Sequence, residues 1–175
     1  MTIAFPDEKF RSYVLRNFDK NKDGVITENE ALSVTRVSPN YGSISSLEGI
    51  QYFKNLEILH CTDNQLTILD VSKNTALTTL YCKDTQLTTL DVSGCTALTE
   101  LNCNDNQLTT LDVSGCTALT ALWCGGNQLT TLDVSKNTSL TELQCPVTLK
   151  TLYLKSGQTI QHLSRVLNTE IVYID

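Results

Sequence analysis

Residues 77–97 read Leu77-Thr78-Thr79-Leu80-Tyr81-Cys82-Lys83-Asp84-Thr85-Gln86-Leu87-Thr88-Thr89-Leu90-Asp91-Val92-Ser93-Gly94-Cys95-Thr96-Ala97, and at Leu98 the pattern begins again. Leu56, Leu77, Leu98, Leu119 and Leu140 fall in register. So do Leu59, Leu80, Leu101, Leu122 and Leu143, and so do Cys61, Cys82, Cys103, Cys124 and Cys145. Four and a half copies of one 21-residue unit cover residues 56–145. A period of this size marks a solenoid, propeller or array. Each unit divides into two extended halves. Leu77-Thr78-Thr79-Leu80-Tyr81-Cys82 is echoed by Leu87-Thr88-Thr89-Leu90-Asp91-Val92, and both alternate and carry many β-branched residues, as strands do. Polar corners such as Asp105-Asn106-Gln107 and Ser135-Lys136-Asn137 separate them. A half of ten or eleven residues leaves no room for a full helix. One coil is therefore strand, corner, extended segment, corner. Stacked coils bury one continuous interior of Leu, Cys and Val, in which each Leu contributes about 1.5–3 kcal/mol and no coil holds its core alone.

The strand signature L-x-x-L-x-L-x-x-N, with Cys at the third apolar site, resembles the leucine-rich-repeat family. The 21-residue unit with its Cys column is similar to the cysteine-ladder internalins and related bacterial surface proteins. Upstream, Ile44, Leu47, Ile50, Phe53 and Leu56 read as a 22-residue internalin-type first repeat. Downstream the register slips by one after Cys145, so that Leu149 and Leu152 stand one position early. The resemblance implies a right-handed superhelical solenoid with a parallel β-sheet on its concave face and a second extended segment on the other side. Residues 37–154 form the expected array. Residues 1–36 form a small α-helical, EF-hand-like N-terminal cap, and residues 155–175, which leave the template, a C-terminal cap.

Residues 19–30, Asp19-Lys20-Asn21-Lys22-Asp23-Gly24-Val25-Ile26-Thr27-Glu28-Asn29-Glu30, match an EF-hand calcium loop. Asp19, Asn21 and Asp23 would supply side-chain oxygens and Val25 its carbonyl. Thr27 would act through a water, and Glu30 would give two oxygens from the start of an exit helix. Alternate residues of a tight loop point inward, which is the spacing a hard cation with several oxygen ligands requires. Asp7 is placed to cap a helix from Glu8 to about Phe18. The expected cofactor is a structural Ca2+. The alternative is a loop whose carboxylates are satisfied by backbone amides. A lone site of this kind sits at the weak end, about 0.1–1 mM.

Positions 3, 5 and 7 of the strand signature point away from the core. They collect Ile58, Glu100 and Glu142, then His60, Tyr81, Asn102, Trp123 and Gln144, then Lys83. These residues vary along the array while the core positions stay fixed, which marks a surface free to specialise. The single Trp lies there beside a Tyr, and both are favoured interface anchors. A second column, Asp70, Asp91, Asp112 and Asp133, sets like charges about 4.8 Å apart. That costs about 1 kcal/mol per neighbouring pair even in bulk water, so corner amides, hydroxyls or cations must offset it.

Seven cysteines without C-x-x-C spacing read as free, buried, small hydrophobes, since parallel Cβ vectors oppose a disulfide. The net charge is −6. Residues 56–145 hold ten Asp or Glu against three Lys, which argues against nucleic acid and favours a basic partner or solubility. No apolar run reaches the roughly 20 residues of a membrane span. With two His and no nucleophile or phosphate-loop motif, the chain reads as a non-catalytic module. It is expected to be monomeric and to bind a protein or surface ligand through its concave face, in a secreted or cell-surface protein whose leader has been removed. The alternatives are a rigid, calcium-stabilised spacer in a larger surface protein and, for localisation, the cytoplasm.

Overall fold

The computed structural model describes residues 2–39, 42–164 and 168–175. Residues 1, 40–41 and 165–167, which belong to the expected N-terminal cap, array and C-terminal cap, lie outside the described residues.

Helix α1 (Glu8–Phe18) starts where Asp7 accepts the amides of Lys9 and Phe10 at 3.0 and 2.9 Å. The other oxygen of Asp7 accepts the Ser45 amide at 2.9 Å and the Ser45 hydroxyl at 2.8 Å. One carboxylate thus begins the helix and ties it to the first coil. Helix α2 (Glu28–Leu32) carries a capping box between Thr27 and Glu30. Strand β1 (Thr2–Ile3), ahead of α1, pairs antiparallel with β2 (Ile26–Thr27) between the helices. Phe5, Phe10, Phe18 and Phe53, all four phenylalanines of the chain, seal the helices to the array. Phe5 meets Phe10 edge-on at 5.5 Å, and Phe18 meets Phe53 at 5.9 Å.

The concave sheet is parallel and is formed by β3 (Arg36–Val37), β4 (Ile58–His60), β6 (Thr79–Tyr81), β8 (Glu100–Asn102), β9 (Ala121–Trp123), β11 (Glu142–Gln144) and β13 (His162–Ser164). Leu59, Leu80, Leu101, Leu122 and Leu143 are direct rung partners, and all are fully buried. On the opposite side, β5 (Ile68–Asp70) pairs with β7 (Thr89–Asp91), and β10 (Thr131–Asp133) pairs with β12 (Thr151–Lys155) and β12 with β14 (Glu170–Ile174). The second extended segment is present in every coil from 56 to 145. At residues 110–112, however, it forms no strand, and Leu111 there is only partly buried. The outer ladder is broken at that coil while the concave one is continuous.

The C-terminal stretch differs from the expected cap. Strand β13 extends the concave sheet and β14 extends the outer one. Leu143 pairs with Leu163, twenty residues on, and Leu152 pairs with Ile171, nineteen residues on. The coil is shortened and lacks its Cys, so a 21-residue template passes over it.

Two columns of buried side chains join coil to coil. Asn106 accepts the amides of Thr85 and Leu87 from the preceding coil, and its amide group donates to the carbonyls of Cys82 and Cys103. Asn64 and Asn127 act likewise. In the second column, Asn74 donates to Ile50 and Phe53 carbonyls, Asn137 to Val113 and Cys116, and Gln158 to Val134 and Asn137. Whereas the Gln158 oxygen accepts the Lys155 amide at 2.9 Å, Asn74 and Asn137 use only their donors here, since their side-chain oxygens are buried without a partner. A thiol can therefore stand in. Cys95 donates to the Val71 carbonyl at 3.2 Å and Cys116 to Val92 at 3.5 Å. The residue before each changes with it, Lys73 and Lys136 before Asn, Gly94 and Gly115 before Cys. A Cβ at Gly94 or Gly115 would collide with the carbonyl oxygen of Ser72 or Ser93. The shorter Cys corner thus brings neighbouring coils too close for any side chain.

Gly94→Ala is expected to lower stability by about 1–3 kcal/mol through overpacking against that carbonyl, read as a fall in the urea midpoint at constant slope. An unchanged midpoint would mean that the corner yields without cost.

Candidate functional site

The concave strands are short and parallel, so equivalent side chains of successive coils stand in columns with one rung, about 4.8 Å, between neighbours. His60 lies flat on Tyr81, ring centroids 4.7 Å apart with 3° between planes. Tyr81 then meets Trp123 edge-to-face at 6.4 Å, across the rung of Asn102. Asn102 leaves room by turning its side-chain oxygen to the Asn104 amide, 3.1 Å away. The three rings form one strip over four coils. Each large ring is held by a carboxylate of the next column. The Tyr81 hydroxyl donates to Glu100 Oε2, and the Trp123 indole N–H donates to Glu142 Oε1 at 2.8 Å.

This setting alters two groups. The bond to Glu100, with burial and the Glu100 charge behind it, pushes the Tyr81 phenol up to about 12. Burial, together with the Arg36 charge, holds the His60 imidazole below its ordinary value, while Glu100 pulls the other way.

Of the expected face residues, His60, Tyr81, Glu100, Trp123 and Glu142 converge. Gln144 joins through a bond from Asn104 Nδ2 to its Oε1 at 3.0 Å. Gly125 stands between that pair, and a Cβ there would crowd both side chains. Ile58 sits at the start of β4 opposite Arg36. Lys83 turns aside to Asp84 and Asp105, 3.5 Å from each, and their charges raise its pKa. Arg36 and His162 were not among the expected face residues. Register with Ile58 and Glu142 brings Arg36 and His162 onto the face. Their signal was the position-3 column, hidden by coils of 22 and 20 residues. At that end a shallow hollow of about 400 Å³ lies between Trp123, Glu142, Gln144 and His162.

The Asp column orders its corners. Asp70, Asp91, Asp112 and Asp133 each accept the amide of the Ser two residues on, at 2.8–2.9 Å. Bonds from the Ser93 amide and hydroxyl lower the Asp91 carboxyl, and bonds from the Ser114 hydroxyl and amide lower that of Asp112. All seven cysteines are buried and outside any disulfide. Burial drives the Cys61, Cys95 and Cys103 thiols up to about 12 and the Cys116 thiol to about 11, so none of these four is held as the reactive thiolate.

Residues 19–30 close on themselves. Asp19 accepts the Lys22 amide at 2.7 Å and the Gly24 amide at 2.9 Å, with Gly24 at φ +82°. Asp23 accepts the Val25 amide and an Asn21 side-chain N–H. Glu30 takes the Thr27 amide and hydroxyl on one oxygen and the Lys20 amide on the other, and the Thr27 bonds, foremost, lower its carboxyl. Among the described residues no three His, Cys, Asp or Glu side chains converge as a metal-holding group. No helix among them is long and apolar enough to cross a membrane.

A family profile for "Leucine Rich repeats (2 copies)" matches residues 75–115 and 96–137. A shorter match, to the LVIVD repeat, falls on residues 61–85 of the same array. With parallel coils and buried ladders, the fold is a leucine-rich-repeat solenoid, and the matched residues are similar to leucine-rich repeats. Within that class it resembles the cysteine-ladder internalins. It is 44% identical over 71 residues to internalin J of Listeria monocytogenes, covering 41% of this chain and 8% of that protein. The solved functional domain of InlJ from Listeria monocytogenes, described as including a cysteine ladder, superposes with a TM-score of 0.79 at 33% identity, covering all of this chain and 47% of the other. A leucine-rich-repeat protein of Leptospira interrogans shares the fold, with a TM-score of 0.62 and 21% identity over 73% of this chain and 38% of its own. The chain thus spans less than half of either internalin J relative.

Removing the Glu100 charge is expected to lower the His60 pKa further, seen by NMR titration of Glu100→Gln; a rise would mean the ring does not sense that carboxylate. A depressed imidazole binds its proton later in the folded chain than in the unfolded one. Stability therefore falls as pH drops from about 6.5 toward the lower folded value, and His60→Gln is expected to flatten that slope.

Proposed function

We propose that this internalin-like array is a non-catalytic binding module of a bacterial surface or secreted protein, and that it engages a protein or surface ligand through the strip His60–Tyr81–Trp123. One observation carries the reading. The variable residues of an otherwise repetitive chain gather on one face, and there the large rings are locked in place by Glu100 and Glu142. Rigid aromatic anchors lose little entropy on binding, which is the preorganisation that interface hot spots use. The likeness to internalin J supports the class of protein. The strip crosses four rungs, about 14 Å, of a concave face about 25 Å long, enough for a loop or an extended segment. Trp123→Ala or Tyr81→Ala is expected to lose capture of partners in pull-down with an unchanged melting temperature. Capture of the same partners by both variants would place the binding surface elsewhere.

We propose in addition that residues 19–30 take up Ca2+ as a structural ligand. The donors are of the right kind and spacing, and the turn at Gly24 with its amide on Asp19 is already made. Glu30 must give up Thr27 and Lys20 to serve the ion, a competition that supports binding at the weak end, near millimolar. A thermal melt in chelator and in a calcium series tests it. Wild type is expected to gain stability at millimolar calcium, and Asp19→Ala to gain none; equal melts of wild type in both buffers would make the loop a cap that needs no ion.

A further inference from the structure

The aromatic strip has a chemical bias that its rings alone do not reveal. Its C-terminal half, on β8, β9 and β11, presents Glu100, Asn102, Trp123, Glu142 and Gln144 and no Lys or Arg. Lys83, which follows β6, is held on Asp84 and Asp105. Glu100 and Glu142 each spend one oxygen on a ring and keep the other without a hydrogen-bond or ion-pair partner among the described residues. Each large ring therefore sits beside a carboxylate that still has acceptor capacity. That combination recognises an organic cation twice, through the π face and through the charge.

The spacing adds a constraint. Glu100 and Glu142 stand two rungs apart, about 9.6 Å along the solenoid axis. A polyproline-II segment repeats its side-chain direction every three residues, about 9.3 Å. A β-extended segment repeats its side-chain direction every two residues, about 6.8 Å, and does not match. Shallow aromatic faces favour such segments because little conformational entropy remains to be lost.

We infer that the concave face binds an extended, polyproline-II-like segment of a partner protein carrying Arg or Lys at every third residue, with successive cations on Glu100/Tyr81 and Glu142/Trp123. This rests on the reading of the concave face as the binding surface and names the chemistry of its partner. The hollow beside Trp123 and His162 lies on the same line and would receive the residue that follows the second cation.

Trp123 is the single Trp of the chain, so its fluorescence reports the site directly. The probe is acetyl-Arg-Pro-Pro-Arg-Pro-Pro-Arg-amide, titrated into the millimolar range against the same peptide with Gln for every Arg. The expected result is a saturable change with the Arg peptide, at least about tenfold weaker for the Gln peptide and weakened by added salt. Glu100→Gln and Glu142→Gln keep an acceptor for each ring and remove only charge. Each is expected to weaken the Arg peptide about tenfold, checked by calorimetry, with the melting temperature unchanged. Equal binding of the Gln peptide, or no saturable change with either peptide, overturns the inference. Neither result bears on the pull-down with Trp123→Ala and Tyr81→Ala, which tests the surface itself.

Discussion

Every coil of this solenoid turns corners, and at each corner the backbone leaves amides and carbonyls facing the interior with no strand to pair them. Unpaired, each would cost about 1–3 kcal/mol. Asn64, Asn106 and Asn127 meet both kinds of group at one corner, reaching a carbonyl of their own coil and groups of the coil before. Asn74, Asn137 and Gln158 supply donors at the next. The Leu and Cys core supplies the driving force, but these ladders decide how far apart coils stand. Where Cys replaces Asn the donor is weaker and shorter. The corner draws in, and Gly94 and Gly115 follow by necessity.

A rigid stack of rungs makes the concave face a ruler. Side chains on it cannot drift along the axis, so the rings of Tyr81 and Trp123 meet across a rung and their carboxylates keep a fixed spacing. Small residues matter here as much as large ones. Gly125 lets Asn104 and Gln144 bond across its rung. The result is a surface ordered before any partner arrives.

The helical end of the molecule works by a different economy. Four phenylalanines and Asp7 close the first coil, so the hydrophobic end of the stack is covered without a further strand. The loop between the helices satisfies its carboxylates with its own amides, and Glu30 serves both the loop and the capping of α2. A cation bound as proposed would have to compete with those bonds for the same oxygens.

A period of 21 residues was enough to read the coils and the buried cysteines, the resemblance to leucine-rich repeats implied the parallel concave sheet, and the capping Asp7 marked the helix after it, because each depends on local pattern or on stacking identical units. The columns of His60, Tyr81, Trp123, Glu100 and Glu142 were legible for the same reason. Their contacts were not. Sequence spacing sets which rung a side chain occupies, but the direction it takes depends on neighbours 19 to 42 positions away. So only the tertiary structure decided that Tyr81 reaches past Asn102 to Trp123, that Lys83 turns off the face, that the outer ladder breaks at residues 110–112, and that residues 162–164 and 170–174 continue the two sheets. Repetition carries register, whereas packing between coils carries direction, and it is direction that shapes the concave face.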